Sequence, residues 1–118
     1  MPSARRVKGD LLFEEALKDL ENKCFNKATG GFYFASRWFA EGLLVKLGAP
    51  IPRRDDKLAN AIEDVGAAAS AECLRTLYSL RLKADYSELS VTPEEAKHAK
   101  EIAEKALEEL KGLLKKAG

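Results

Sequence analysis

The sequence contains few of the residues that build strands, disulfide frameworks and metal sites. Val, Ile and Thr together account for only 10 of 118 residues, Gln is absent, and there are two Cys and one His. The scarcity of β-branched residues argues against a sheet. Two Cys far apart in the chain exclude a disulfide framework and a zinc ribbon. We interpret Cys24 and Cys73 as two buried thiols on helices, with a single bridge left open as the alternative.

The chain also lacks a charge excess and a long uninterrupted apolar run. Its 20 Lys and Arg balance 19 Asp and Glu, a formal net charge of +1. This balance excludes a strongly basic nucleic-acid coat protein and an acidic tail protein, although a local basic patch remains open. The most apolar stretch, Phe32 to Leu47, is interrupted by Arg37, Glu41 and Lys46, so we expect no membrane span.

The N-terminal residues give no sign of export. No apolar segment follows the basic residues Met1 to Lys8, as a signal peptide would require. We therefore expect a cytoplasmic protein. At this length the chain should form a single domain over residues 1–118, with 1–8 as a flexible basic arm.

What the sequence does contain is an excess of helix formers. Ala, Leu, Glu and Lys make up 61 of the 118 residues, which predicts an all-α protein. Abundant Lys and Glu with few thermolabile residues are typical of proteins from hot environments, so we expect a thermophilic source.

Hydrophobic spacing and breaking residues predict about five helices in an up-and-down antiparallel bundle. Gly30-Gly31 is expected to end the first helix and Gly66 the third, while Asp10 and Asp55 should cap the first and third at their N-termini. The predicted helices cover about 10–28, 32–47, 55–65, 67–83 and 93–116.

The strongest cap signal precedes the fifth helix. Thr92 is expected as the N-cap, Pro93 occupies the first helical position, and Glu95 completes a capping box. The next residues with small side chains, among them Ala96 and Ala99, begin an apolar seam that lets helices approach closely.

The second predicted helix is apolar on nearly all sides. A helix with two apolar faces must be buried on two sides, and a domain this small should cover only one of them. The other face is therefore expected to pack against a second copy of the chain, which predicts a homodimer.

Arg81 is the most informative candidate for a functional site. If the fourth helix persists far enough, Leu74, Tyr78, Arg81 and Asp85 lie within about 60° of one another on its apolar side. A charge on such a face needs a partner. One interpretation is an Arg81–Asp85 pair that fixes the helix end. The other is an arginine held in a groove or dimer interface to bind phosphate.

The segment Leu80-Arg81-Leu82-Lys83-Ala84-Asp85-Tyr86 resembles the end of the penultimate long helix in the HEPN-domain family (higher eukaryotes and prokaryotes nucleotide-binding). In one prokaryotic branch that helix ends in an Arg-x-x-Ala-Asp-Tyr signature. The order of the predicted helices is similar over nearly the whole chain. The resemblance implies a helical bundle that commonly dimerises and is often a metal-independent ribonuclease, paired as a toxin with a minimal nucleotidyltransferase.

The catalytic motif of the family is matched only in part. Arg81 corresponds to its Arg, but Tyr86, Ser87 and Glu88 stand where its His would fall. A phenol, with an ordinary pKa of about 10, is a poor replacement for an imidazole in acid–base catalysis. The resemblance therefore favours nucleotide or RNA binding, or assembly in a toxin–antitoxin-type module, over ribonuclease activity by Arg81 and Tyr86. A purely structural dimeric protein is the third interpretation.

In the binding interpretation three residues have separate tasks. Arg81 would contact a phosphate, Tyr86 would stack on a base or hydrogen-bond to it, and Asp85 would orient Arg81.

Three further arginines are candidate ligand contacts. Arg53 and Arg54 precede a helix N-terminus, where an anion is favoured, although a solvated charge cluster is the simpler interpretation. Arg37 and Glu41, one turn apart, are expected to pair with each other or across the dimer, with a groove that Arg37 shares with Arg81 as the alternative.

No cofactor or metal site is expected. His98, the one histidine, is interpreted as a surface side chain, because with Glu94 it supplies only two ligands per chain.

Overall fold

The computed structural model describes residues 3–117, and within this range the chain forms five α-helices and no strand. The all-α helical bundle predicted from composition is confirmed. None of the helices in the described range is long and apolar enough to cross a membrane. The helices are α1 (Ala4–Glu21), α2 (Phe25–Lys46), α3 (Asp55–Asp64), α4 (Ala68–Tyr86) and α5 (Pro93–Ala117).

Helix α2 lies at the centre of the bundle, because it contacts each of the other four helices. Its fully buried side chains include Phe32, Phe39, Leu43 and Leu44, whereas Phe34 and Trp38 are half-buried and Val45 is exposed. The most extensive packing is with α1, followed by α5 and α4. Helices of the same chain thus cover most of α2, but the side with Phe34, Trp38 and Val45 stays partly open to solvent. The homodimer inferred from the two apolar faces of α2 therefore stays a prediction.

The break between the first two helices does not lie where the sequence predicts it. It falls at residues 22–24, where Lys23 has a left-handed backbone conformation with φ 62°. Gly30 and Gly31 lie inside α2 instead. A Cβ atom at Gly31 would stand 2.9 Å from the Cβ of Ala16 on α1, so the glycine serves close helix packing. Packing against α1 thus holds the Gly-Gly pair in helical conformation.

Helix α1 begins earlier than expected. Ser3 is its N-cap, and the hydroxyl of Ser3 accepts a hydrogen bond from the backbone N–H of Arg6 at 3.3 Å. Asp10 is therefore not a cap but an exposed residue inside the helix. The prediction of a flexible arm is wrong for residues 4–8, which form the start of α1, while residues 1–2 of that arm lie outside the described residues.

The boundaries of the later helices agree more closely with those predicted from the sequence. Asp55 is the first residue of α3 and not its cap, because Arg54 occupies the N-cap position. Helix α4 extends to Tyr86, so Arg81 and Asp85 share one continuous helix.

The capping box before α5 is confirmed. The Thr92 hydroxyl accepts from the Glu95 N–H at 3.1 Å, and the Glu95 carboxylate accepts from the Thr92 N–H at 2.9 Å.

The cysteines only partly follow the prediction. Cys73 is buried on α4, but Cys24 is exposed at the residue that precedes α2, and both thiols are free. The interpretation of Cys24 as a buried helical thiol is therefore wrong. The last turn of α1 ends close before it, so Cys24 lies in the short connection, where its side chain reaches solvent.

Candidate functional site

Arg81 lies on α4 among three aromatic rings. Its guanidinium carbon is 5.0 Å from the ring centre of Phe34 and 5.8 Å from the ring centres of Tyr33 and Tyr86. Only 19% of the side chain is exposed. Distances of this size permit cation–π attraction, which holds the cation against the protein surface. We refer to Arg81, Asp85 and these three rings as the Arg81 site.

Asp85 pairs with Arg81 along the helix. The Arg81 Nε donates to Asp85 Oδ2 at 3.1 Å, one turn away. The two terminal nitrogens of the guanidinium make no hydrogen bond within residues 3–117. The pair that the sequence predicts therefore exists, yet it uses only one edge of the guanidinium. Two terminal nitrogens of a fixed guanidinium suit bidentate recognition of a phosphate.

Tyr86 is the exposed member of the Arg81 site. It is the last residue of α4, and 72% of it is accessible to solvent. An exposed aromatic ring beside an arginine is the arrangement on which nucleic-acid bases stack. The residue thus provides a planar apolar surface next to the cation.

Arg37 lies one turn further along α2 than Tyr33, and each of its nitrogens has a partner. Nε donates to Glu41 at 2.9 Å, one terminal nitrogen donates to Asp55, and the other donates to the Arg53 carbonyl at 3.3 Å. The predicted Arg37–Glu41 pair is confirmed. Burial acts to lower the pKa of Arg37, but the hydrogen bond to Glu41 and the charge of Asp55 outweigh it and raise that pKa. Arg37 therefore serves to join α2 to the start of α3.

Tyr33 connects the two arginines, a role that sequence reasoning missed. Its ring is buried beside Arg81, and its hydroxyl donates to the Asp55 carboxylate that also receives Arg37. Burial, followed by the hydrogen bond to Asp55, raises the pKa of Tyr33 far above its usual range. The phenol therefore stays protonated and cannot act as a general base. The sequence signal for this role was the spacing of four residues between Tyr33 and Arg37, which places both side chains on the same face of a helix.

The two arginines before α3 are exposed and differ in their contacts. Arg54 forms two hydrogen bonds to the Asp56 carboxylate, at 3.1 and 2.9 Å. Arg53 contributes its carbonyl to Arg37 and keeps its side chain in solvent. Asp55 and Asp56 occupy the first turn of α3, where their charges oppose an anion. A solvated charge cluster describes this segment better than a phosphate site.

His98 lies on α5 with 63% of its side chain exposed, and its Nδ1 is 4.0 Å from Glu101. Among residues 3–117 no group of three or more His, Cys, Asp or Glu is arranged to hold a metal ion. The histidine is thus a surface residue, as the sequence predicts.

These features define an all-helical bundle that carries a half-buried arginine with two unused nitrogens. The sequence model of one protein family, described as the HEPN domain, matches residues 5–113. The chain therefore belongs to the HEPN-domain family. This membership supports a nucleotide-binding or ribonuclease-like domain. No curated protein matches the chain.

Proposed function

We propose that the protein binds the phosphate of a nucleotide or RNA through Arg81. One observation carries the proposal: Arg81 and Arg37 are equally buried, but only Arg81 has terminal nitrogens that are not bound within the described residues. Asp85 fixes the orientation of the guanidinium, and the exposed Tyr86 ring stacks on a base. Arg37 is a structural residue in this proposal, since a ligand would have to displace one of its partners.

Binding is favoured over cleavage by the chemistry of the neighbouring groups. Metal-independent RNA cleavage needs a group that accepts and returns a proton near neutral pH. Tyr33 has a raised pKa and is bound to Asp55, and the only histidine contacts Glu101 on α5. A ribonuclease that uses Arg81 and Tyr86 is the alternative function. If that alternative holds, the wild-type protein cleaves RNA in the presence of EDTA and the Arg81→Gln variant does not.

Fluorescence anisotropy with a labelled single-stranded RNA tests the binding proposal. Arg81→Gln is expected to weaken binding at least about tenfold, because hydrogen bonds to charged groups contribute about 1.5–3 kcal/mol. Arg75→Gln is the matched control, since it removes the same charge from the same helix at a residue that pairs with Glu63 and Glu72. Equal losses in both variants would contradict the proposal, and so would binding that does not depend on salt.

Two narrower assignments rest on the resemblance of the Arg81-to-Tyr86 segment to one branch of the family. They are a homodimer and a toxin–antitoxin-type module with a minimal nucleotidyltransferase. A neighbouring reading frame for such an enzyme, and its co-purification with this chain, would support the module. Sedimentation of the pure protein checks the dimer, because a single species of 13.0 kDa contradicts it.

A further inference from the structure

A groove separates α1 from α5 and shares no residue with the Arg81 site. Both helices pack extensively on α2 but touch each other only slightly. Two adjoining cavities of about 340 and 450 Å³ lie between them, and Glu14 lines both. We refer to this region as the α1–α5 groove.

The floor of the α1–α5 groove is apolar. Phe13 and Leu17 of α1 are half-buried, and Leu107 of α5 is 5% exposed. The ring of Phe13 packs edge-on against Phe32 of α2, with 5.5 Å between the ring centres. The floor is therefore anchored to the core, and Phe13 and Leu17 remain partly accessible to solvent.

The rim of the α1–α5 groove is acidic around the cavity of about 340 Å³, whereas Lys18 and Lys100 balance Glu14 and Glu21 around the other. Five acidic residues and three lysines line the two cavities. One of the lysines, Lys111, is already bound to Asp10 at 3.3 Å and closes one end. Glu14, Glu104 and Glu108 form no ion pair within residues 3–117. Their negative charge repels phosphate and favours a cationic occupant.

The length of the groove matches a short helix. Its lining residues extend from Asp10 to Glu21 on α1 and from Lys100 to Lys111 on α5, with helical spacing on both. The eleven steps between the first and last of these residues, at about 1.5 Å each, correspond to about 16 Å, or three helical turns. An amphipathic helix of that length places apolar residues on the floor and its flanking residues on the rim.

We propose that the α1–α5 groove binds a basic amphipathic helix of a partner protein. Its apolar side would cover Phe13 and Leu17, and its Lys or Arg residues would pair with Glu14, Glu104 and Glu108. Charge complementarity identifies this occupant, because the carboxylates stand beside an apolar floor and lack ion-pair partners within the described chain. The inference is independent of nucleotide binding at Arg81.

A synthetic helix tests the groove directly. The probe is a labelled 14-residue peptide of Leu and Lys with helical apolar periodicity, and its control is a peptide of the same composition with that periodicity scrambled. We expect the amphipathic peptide to bind the full chain at least about tenfold more tightly than the scrambled one, a difference of about 1.4 kcal/mol. Equal affinity for both peptides would refute a shaped groove.

Charge reversal locates the binding site. The double variant Glu104→Lys/Glu108→Lys should weaken peptide binding at least about tenfold. Glu88→Lys/Glu101→Lys makes the same charge change at exposed residues that do not line the groove, and should leave binding unchanged. Equal losses in both doubles would refute the proposal. Sedimentation that shows two chains in the wild type and one in Glu104→Lys/Glu108→Lys would identify a second copy as the occupant and also refute it. Circular dichroism confirms that both doubles are folded.

Discussion

Two arginines with similar burial differ in how many of their nitrogens are hydrogen-bonded within the described residues. The exposed fractions of their side chains are 20% for Arg37 and 19% for Arg81. Arg37 is bound at all three nitrogens, whereas Arg81 is held by Asp85 at one. Burial alone therefore does not distinguish the two arginines, and the proposed phosphate contact of Arg81 rests on its unused hydrogen-bonding capacity.

Tyr33→Phe tests whether Tyr33 belongs to the framework or to the binding site. The variant keeps the ring beside Arg81 and removes the hydrogen bond to Asp55. We expect the free energy of unfolding to fall by about 0.5–1.5 kcal/mol, measured by urea titration, with RNA affinity nearly unchanged. A loss of affinity as large as that of Arg81→Gln would place Tyr33 in the binding site.

The sequence could predict the position of Arg81 on the apolar side of α4, but not the contacts of Tyr33. Helical spacing puts Arg81 on the same side of α4 as Leu74 and Tyr78, and this requires only the continuity of one helix. The task of Tyr33 depends on Asp55, which is 22 residues away and approaches only when α3 packs on α2. A local pattern contains no information about that contact.

At the level of helices, the glycines of α2 show how tertiary packing overrides a local signal. Gly-Gly is a strong helix breaker in isolation. Here Gly31 faces Ala16 so closely that a side chain would collide with α1, and the helix continues through it. The actual break at Lys23 has no comparable marker in the sequence, which explains why the first boundary was wrong.

Gly31→Leu should destabilise the protein by about 1–3 kcal/mol, because its side chain must displace Ala16 on α1. Gly112 provides the control, since it is exposed on α5 and a Cβ there meets nothing within 4 Å. Gly112→Leu should raise stability by about 0.5–1 kcal/mol through helix propensity. Urea titration of both variants measures the difference. A stabilising Gly31→Leu would show that α1 does not pack against α2 at this position.

The start of α5 depends on the Thr92 cap. Thr92→Ala removes the acceptor for the Glu95 N–H and should lower the free energy of unfolding by about 1 kcal/mol. Thr76→Ala is the comparison, because Thr76 is exposed on α4. It should change stability by less than about 0.5 kcal/mol. Thermal or urea unfolding would contradict the capping role if the two substitutions had the same effect.

At the scale of the whole molecule, composition was sufficient for the fold class but not for the arrangement of helices. An excess of Ala, Leu, Glu and Lys predicts an all-α chain, but it does not indicate which helix lies at the centre of the bundle. The sequence also showed that α2 is apolar on two sides. It could not show how the other four helices pack around α2, which leaves only the side with Phe34, Trp38 and Val45 partly open to solvent. The homodimer inferred from the two apolar sides of α2 therefore stays a prediction.

The pH dependence of global stability should contain a contribution from Glu95, which joins α4 to α5. The hydrogen bond from Lys83 and the backbone N–H of Thr92 lower the pKa of Glu95 below its usual range. Because the folded-state pKa lies below the unfolded-state value of about 4.3, the stabilisation is fully present above that pH. It is lost as pH falls through the lower folded-state pKa.

Urea midpoints between neutral pH and about pH 3 measure this contribution. Glu95→Gln should reduce the loss of stability on acidification, because the variant has no carboxylate to protonate at this position. Glu101→Gln is the control, since the Glu101 carboxylate is exposed and lies 4.0 Å from Nδ1 of His98. It should retain the wild-type dependence. If Glu95→Gln and the wild type lose stability in parallel, the contact between α4 and α5 does not depend on the ionised carboxylate.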